Sequence, residues 1–282
     1  MIREATYSTP EEVAIPPEIL KRSSALFLAL HIHLRGFQVL LFDQAESRFL
    51  WMKDAIVEVV HQSPFTDVSE FISRCSWSRQ LFRTVTVSFD TPDFALIPAG
   101  LIQPGKEADL LSFQTMRNST DVQTYTLAET AISVIYDTPA AIQDIRHTIS
   151  GARIFPSSAL FLRYIMGHND RQVNELHVLA EPSYLLLSVM MQGKHMLTNH
   201  FTVESEEDVL YFVAHAAIRL GLDLEHAHCI LYGQSISGSL RQLLSEYCLD
   251  VKSWIAPAGF YLPEDIDSCR HFSTLIHPIC AS

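Results

Sequence analysis

A strand, a turn of small residues and the start of a helix follow one another between Cys229 and Leu240. The residues of the turn that could contact a ligand are Gly233, Gln234, Ser235, Ser237 and Gly238. Glycines and serines let backbone amides come close to a ligand, and a helix amino terminus attracts an anion or the edge of a nucleotide. Such a turn also takes small residues for steric reasons alone. Both interpretations stay open, and the steric one is favoured.

Two enzyme sites fit the sequence less well. Residues 233–237 resemble part of the Gly-x-Ser-x-Gly elbow of serine hydrolases, with His271 or His277 as the base. The final glycine is missing, and too little chain follows to complete that fold. A ribonuclease H-type site needs several carboxylates on two metal ions near the first strand. The early candidates all lie outside that strand: Asp43, Asp54 and Asp90.

The spacing of the histidines and cysteines does not predict a metal site. Two His-x-His pairs would share a strand face, His31 with His33 and His226 with His228. No carboxylate or cysteine cluster completes either pair, so histidines with internal partners are favoured over metal ligands. The five cysteines form no Cys-x-x-Cys pair: Cys75, Cys229, Cys248, Cys269 and Cys280. They are predicted to be reduced and structural, without a disulfide framework or a zinc site.

Charge and hydrophobicity limit the partners. The chain carries 20 basic and 32 acidic side chains, a formal net charge of -12. Because such a surface repels phosphate and no dense basic cluster offsets it, we expect no nucleic-acid binding. No apolar run reaches the length of a membrane span, and the opening residues lack the order of a secretion signal. The sequence therefore predicts a cytoplasmic location.

One succession of segments occurs twice along the chain: two apolar strands, a third strand, an amphipathic helix and a short strand. In the first half these are Ala25–His31, Phe37–Phe42, Arg48–Met52, a helix from Thr66, and Thr84–Phe89. In the second half they are Leu176–Ala180, Tyr184–Met191, His195–Val203, Ser205–Leu220 and His228–Tyr232. Two meanders with crossover helices predict an α/β fold of duplicated ribonuclease H-like lobes, with mixed sheets flanked by helices and a cleft between the lobes.

The predicted domain boundaries follow from this repeat. Residues 1–19 are polar and contain three prolines, so we expect an extended lead-in that packs late or not at all. Residues 20–152 form the first lobe and residues 153–282 the second. Residues 94–136 interrupt the repeat with short strands and a helix near 107–116, which we interpret as an elaboration of the first lobe.

Two stretches go beyond this pattern. They are Phe89-Asp90-Thr91-Pro92-x-Phe94-x-Leu96-Ile97-Pro98, and Asn199-x-Phe201 followed by Glu207-Asp208-x-x-Tyr211. They resemble signatures of a bacterial domain-of-unknown-function family found largely in Bacteroidota, and the resemblance extends from about residue 20 to residue 260. It implies an actin-like ATPase fold, related to cell-division and pilus-assembly proteins, and it implies no activity or catalytic residues.

The actin-like resemblance gives a test for nucleotide binding. Actin-like ATPases carry Asp-x-Gly phosphate loops in the first hairpin of each lobe, and the corresponding stretches here, 31–36 and 180–183, lack that motif. Pro182 has no amide hydrogen to donate, and Glu181 is longer than an aspartate. The adenosine-contact turn of these ATPases usually carries a glycine pair, and Gln234 replaces the second glycine. A tightly held metal nucleotide is therefore not expected.

These observations support two functional hypotheses. The leading one is a catalytically silent binding or scaffold protein that needs no cofactor and acts through a protein partner. The alternative is a divergent ATPase that binds ATP and magnesium, with Gly233–Gly238 near the base and with Glu181, Ser183 and Asp90 in the same cleft. Asn199, Glu207 and Asp208 are candidates for a partner surface, although hydrogen bonds between a strand end and a helix start explain them better.

Overall fold

The structure is a computed structural model that describes residues 7–61, 63–117, 119, 121–127 and 130–280. The chain forms two compact units. The first contains the residues up to Leu160, together with Gly259–Pro263 and the chain end from His277. The second contains Phe161–Ala258 and Glu264–Ile276.

The first unit holds two sheets. Its elements up to the last strand are α1 (Pro17–Leu20), β1 (Phe27–His33), β2 (Gly36–Asp43), β3 (Arg48–Ile56), α2 (Pro64–Arg74), β4 (Thr84–Phe89), β5 (Phe94–Pro98), α3 (Glu107–Thr115), β6 (Val122–Thr126), β7 (Ile132–Asp137), α4 (Ala140–Thr148) and β8 (Ala152–Pro156). The large sheet has the order β3-β2-β1-β4-β8, and the small one β5-β7-β6. The small sheet and α3 correspond to the predicted elaboration.

The apolar residues of β2 and the pairing of β1 explain the central part of the large sheet. β2 is buried along its whole length, as expected of an apolar strand inside a sheet. β1 pairs antiparallel with β2 and parallel with β4, so the chain has to cross over before β4, and α2 lies on that connection. The rings of Phe37 and Phe71 meet edge to face at 5.6 Å between centroids, joining β2 to α2.

The first unit extends further than the sequence predicts. β8 pairs in parallel with β4 as the fifth strand of the large sheet, so the first unit runs past residue 152. Phe260 stacks on Phe42 at 5.7 Å, and His277 hydrogen-bonds Thr86, so two late segments also belong to this unit. These contacts join residues far apart in sequence, where no local pattern predicts them.

The predicted lead-in is packed rather than loose. Residues 1–6 lie outside the described part of the chain. Val13 and Ile15 are buried, and the Trp77 indole donates a hydrogen bond to the Val13 carbonyl at 3.1 Å. The helix α1 begins at Pro17, where a proline loses no hydrogen bond. Buried apolar side chains and hydrogen bonds therefore attach the described part of this stretch to the first unit.

The second unit repeats the first sheet. Its elements are β9 (Asn174–Glu181), β10 (Tyr184–Met191), β11 (Lys194–Thr202), α6 (Glu206–Leu220), β12 (Ala227–Tyr232), α7 (Gly238–Ser245) and β13 (Asp250–Ser253). Two of the four boundaries between the units fall within further helices, α5 (Ser157–His168) and α8 (Phe272–Cys280). The sheet order is β11-β10-β9-β12-β13, with the pairing directions of the first sheet. This agreement confirms the predicted duplication.

Local sequence accounts for the ends of these elements. The turn from β10 to β11 consists of Gln192 and Gly193, both with positive φ, which is the conformation of a tight hairpin. α6 begins with a capping box between Ser205 and Asp208 and ends at Gly221 in the left-handed conformation.

Among the described residues α6 is the longest helix, and no helix there combines the length and apolar character needed to cross a membrane.

A buried polar network lies in the first unit. The His277 ring is fully buried, with Nδ1 2.7 Å from Thr86 Oγ1 and Nε2 2.8 Å from Ser88 Oγ. Ser88 Oγ also lies 2.9 Å from Nδ1 of the buried His31. Because hydroxyl groups can donate or accept, Thr86 and Ser88 can form hydrogen bonds with neutral imidazoles.

We expect acid to destabilise the protein through this network. Burial lowers the pKa of His277 from 6.5 to about 3, and it also lowers the pKa of His31. The unfolded chain takes up protons on these imidazoles below pH 6.5, whereas the folded chain resists protonation, so stability falls as the pH drops from about 6.5 towards 3. For His277 alone the loss between pH 7 and pH 5 is roughly 2 kcal/mol.

Urea unfolding at the two pH values measures this loss. His277→Gln is expected to be less stable than the wild type at pH 7 but to lose less stability on acidification. The exposed His147 provides the control, and His147→Asn should follow the wild-type profile. A His277→Gln variant with the wild-type pH dependence would contradict the assignment.

Candidate functional site

The turn from Gly233 to Gly238 lies beside the end of β9. β12 and β9 are parallel, with Tyr232 paired to Leu179, so both strands end at one edge of the sheet. Gly233 has φ +105, and a Cβ there would lie 2.2 Å from the Ala180 carbonyl oxygen. Only glycine fits this close approach of two backbone segments.

The first amides of the turn have partners within the second unit. Gly233 N donates to the Cys269 carbonyl at 2.9 Å, and Ser235 N donates to the Ala180 carbonyl at 3.0 Å. Gln234 N donates to Glu181 Oε2 at 3.4 Å. Three donors that could have faced a ligand are therefore used internally.

A second carboxylate binds the hydroxyl groups at the start of α7. Glu206 Oε1 accepts hydrogen bonds from Ser237 Oγ at 2.5 Å and from Ser239 Oγ at 2.9 Å. Ser237 Oγ in turn accepts from Leu240 N at 2.9 Å and caps α7. The negative charge that a helix amino terminus attracts is thus supplied by the protein itself.

A pocket of about 370 Å³ opens between the turn and the start of α6. Three glutamates contribute to its lining, Glu181, Glu204 and Glu206, and among the described residues no lysine, arginine or histidine does so. The apolar side chains that complete most of the wall are Pro182, Val203, Val209, Ile236 and Leu240. A phosphate group would meet carboxylates without a compensating cation, whereas a cationic or neutral group would not.

Basic side chains lie on the other side of the turn. A second pocket, of about 330 Å³, is lined by Arg241 and Arg270 together with Asp267 and Trp254. Arg241 Nη2 donates to Ser253 Oγ at 2.6 Å. Gln234 and Ile236 line both pockets, so the turn separates an acidic pocket from one that contains two guanidinium groups.

The two hairpins at the positions of the phosphate loops form hydrogen bonds within the protein. In the second unit, β9 and β10 are joined by Pro182 and Ser183, and the Ser183 carbonyl accepts from Val203 N at 3.3 Å. In the first unit, Arg35 N donates to Nδ1 of its neighbour His33 at 3.3 Å. Neither hairpin has the aspartate and glycine that would hold a metal ion and phosphate.

The other candidate residues lie apart from the turn or have their own partners. Each histidine of the two pairs lies near one carboxylate: His31 and Asp90 at 3.7 Å, His33 and Asp54 at 3.7 Å, His226 and Asp223 at 2.8 Å, and His228 and Asp250 at 3.5 Å. Asp43 pairs with Arg22 at 2.8 Å. Within the described part of the chain, no three potential ligands come close enough to hold a metal ion.

The candidate partner residues have separate surroundings. Asp208 accepts from Glu204 N at 2.9 Å and Ser205 N at 3.0 Å, and these bonds lower the pKa of its carboxyl group. They tie the strand end to the helix start, as the sequence predicts. Asn199 Oδ1 accepts from His200 N at 2.9 Å, and Glu207 is exposed.

Sequence reasoning missed Glu206. It belongs to the acidic first turn of α6, which is typical of any helix start. Its contact with Ser237 spans 31 residues of sequence and depends on how α6 packs beside α7. No local signal distinguishes it from Glu207.

Gly233→Ala is expected to destabilise the protein by roughly 2–4 kcal/mol, because the new methyl group meets the Ala180 carbonyl and the positive φ disfavours alanine. Gly238→Ala is the matched control, since a Cβ there meets nothing within 4 Å. Urea unfolding of both variants checks this expectation. Equal stability of the two variants would show that the close approach is unimportant.

Glu206→Ala is expected to cost about 1–2 kcal/mol, because two serine hydroxyl groups lose their acceptor at the start of α7. Glu207→Ala, one residue along the same helix, should change the stability by less than about 0.5 kcal/mol. Thermal and urea unfolding measure both changes. If Glu207→Ala costs as much as Glu206→Ala, the loss reflects helix charge rather than these bonds.

Comparison with known proteins places the fold. Residues 19–251 match the model of the family described as "Protein of unknown function (DUF3822)". No curated protein matches the chain. A protein of actin-like ATPase fold and unknown function from Bacteroides thetaiotaomicron is similar with a TM-score of 0.79 and 14% identity, over 93% of this chain and 98% of that one.

A second structure, the PilM-PilN type IV pilus biogenesis complex, is similar with a TM-score of 0.50 and 13% identity, over 91% of this chain and 95% of that one. At these identities the likeness establishes the fold and leaves the activity open. It agrees with the duplicated sheets and with the predicted family. The chain therefore belongs to the DUF3822 family of proteins of unknown function and has the actin-like ATPase fold.

Proposed function

We propose that this protein is a non-catalytic binding or scaffold protein that has the actin-like ATPase fold but does not bind nucleotide. The observation that carries the proposal is the pair of carboxylates on the turn from Gly233 to Gly238. Glu181 binds the Gln234 amide, and Glu206 binds Ser237 and Ser239. These groups hold positions in which an anionic ligand would need free donors.

Electrostatics supports the same proposal. A triphosphate brings several negative charges, and in the described part of the chain the pocket beside the turn is lined by three glutamates and by no basic side chain. Burying like charges together is unfavourable unless a cation compensates. The usual compensation is a magnesium ion held by the aspartate of a phosphate loop, and the sequence lacks that motif. Magnesium-nucleotide binding of the usual kind is thus disfavoured.

A protein partner is the second part of the proposal. The PilM fold occurs in a complex with PilN, so an actin-like fold can take part in a protein assembly. The acidic pocket suits a partner that presents a lysine or arginine side chain between apolar residues. We also propose a cytoplasmic location, because all five cysteines are free thiols, which suits a reducing compartment.

One observation favours the alternative, a divergent nucleotide-binding ATPase. The turn from Gly233 to Gly238 keeps the strand-turn-helix form of an adenosine contact, and pockets of about 370 and 330 Å³ flank it. Arg241 and Arg270 could compensate negative charge on one side. Under this alternative, ATP would bind with magnesium, and a nucleoside without phosphates would bind more weakly.

Titration with nucleotides separates the two functions. We expect ATP, ADP and GTP at millimolar concentration, with and without magnesium, to leave the thermal midpoint of the purified protein unchanged. A ligand that binds the folded state raises this midpoint by mass action, so the absence of a shift means weak or absent binding.

The double variant Glu181→Gln/Glu206→Gln tests the proposed cause. Removing both charges while keeping the side-chain size should permit weak nucleotide binding if the carboxylates exclude phosphate. Glu207→Gln serves as the control, since it removes the same charge from the exposed face of α6. A magnesium-dependent shift in the wild type would overturn the proposal and favour the ATPase.

A further inference from the structure

The small sheet of the first unit has two edge strands, β5 and β6, which flank β7. Asp137 N donates to the Asp93 carbonyl at 3.2 Å, so the odd-numbered residues of β5 bond β7 and the even-numbered ones face outward. Two outward residues offer no free donor, because Pro98 has no amide hydrogen and Phe94 N donates to the Pro92 carbonyl at 3.1 Å. Such an edge is protected against pairing with a further strand.

The outer edge of β6 is open. Leu127 N donates to the Ile132 carbonyl at 3.0 Å and Thr138 N to the Asp121 carbonyl at 3.0 Å, so the odd-numbered residues of this segment bond β7. The residues whose backbone N–H and C=O groups point away from the sheet are Val122, Thr124 and Thr126. No group among the described residues bonds these outward backbone groups.

β6 lacks the features that commonly protect a strand edge. Its sequence is Val-Gln-Thr-Tyr-Thr, without a charge or a proline, and its pairing with β7 has no bulge. Thr124 pairs with Ile135, which packs with Leu111 of α3, so the Thr124 side chain points to the face that carries α3. Thr124 and Thr126 are both exposed. The helix therefore leaves this edge accessible.

The edges of the large sheets differ from β6. On β3, Ser8 Oγ accepts from Ile56 N at 3.2 Å, and the Tyr261 carbonyl accepts from Phe49 N at 3.0 Å. On β11, the side chain of Asn199 accepts from the next backbone amide at 2.9 Å. β13 has four residues, two of them charged, and β8 ends in a proline. Among the described strands, β6 thus has the least protected edge.

From this geometry we infer that β6 is a docking edge for β6 of a second copy of this chain. The two strands pair antiparallel about a two-fold axis at Thr124, so Thr124 faces Thr124 of the second copy and Val122 faces Thr126. Each facing pair exchanges both of its N–H···O bonds, and the small sheets of the two copies join into one. β6 belongs to the first unit, so this inference does not rest on the acidic pocket of the second.

Self-complementarity favours a second copy over an unrelated strand. A symmetric pair places equivalent residues near each other, and like charges directly opposite each other destabilise it. β6 carries no charge, and its facing pairs would be threonine with threonine and valine with threonine, which suit a sheet. The two-fold axis also places both α3 helices on one side of the joined sheet. Phe113 and Met116, at the end of α3, are 82% and 87% exposed and supply apolar surface on that side.

Sedimentation velocity of the full-length protein over a range of concentrations tests the inference. We expect a reversible monomer–dimer equilibrium that shifts towards the dimer as salt rises, because the net charge of -12 on each copy is then screened. Thr124→Lys and Thr124→Glu should each weaken dimerisation by roughly tenfold or more, since like charges then face each other at the axis. Thr124→Val, which keeps the backbone and the branched side chain, is the matched control and should dimerise like the wild type.

An equimolar mixture of Thr124→Lys and Thr124→Glu should recover the dimer, because opposite charges then face each other. This recovery distinguishes pairing at Thr124 from a general loss of stability. A wild type that stays monomeric up to about 1 mM, a dimer that neither charge weakens, or a mixture that stays monomeric would overturn the inference.

Hydrogen exchange of the wild type gives a second measurement that needs no variant. The outward amides of Val122, Thr124 and Thr126 should exchange more slowly as the protein concentration rises, because they become bonded across the axis. Exchange at these amides that does not change while the dimer forms would place the interface elsewhere and contradict the inference.

Discussion

The parallel pairing of β9 with β12 is the constraint on which the candidate site depends. Parallel strands need a crossover, and here β10, β11 and α6 supply the intervening chain. The pairing brings Glu181 and Gln234, 53 residues apart, to one sheet edge. Gly233 then passes so close to the Ala180 carbonyl that a side chain is excluded. The same pairing of β1 with β4 organises the first unit.

The charges at this sheet edge give the site its chemical character. A strand-to-helix turn in this fold presents amides and a helix amino terminus, which are suited to an anion. In this chain Glu181 accepts from the Gln234 amide, Glu206 accepts from the hydroxyl groups of Ser237 and Ser239, and the adjoining pocket is acidic. The site is thereby more suited to a cationic side chain than to a phosphate group. A fold can keep its architecture while the few residues that determine ligand chemistry change.

The duplicated sheets contain different polar interiors. In the first unit, His31 and His277 share the hydroxyl group of Ser88 and stay neutral. In the second unit, His177 Nδ1 lies 2.8 Å from the hydroxyl group of the buried Tyr232, and its ring stacks on that residue. In each unit a hydroxyl group lies within hydrogen-bond distance of one nitrogen of a buried imidazole, and in the second unit Nε2 of His177 also lies 3.3 Å from Glu175 Oε2. The two units therefore share their strand order, whereas the residues that surround these buried histidines differ.

The sequence by itself determined the order of strands and helices, the duplication and the absence of phosphate-loop motifs. These features depend on residues close together in the chain, such as the apolar run of β2 or the capping box of Ser205 and Asp208. Only the tertiary structure decided that β8 joins the first sheet, that His277 reaches Thr86 and that Glu206 binds Ser237. Those contacts join distant segments, and their partners are chosen by packing geometry rather than by local propensity.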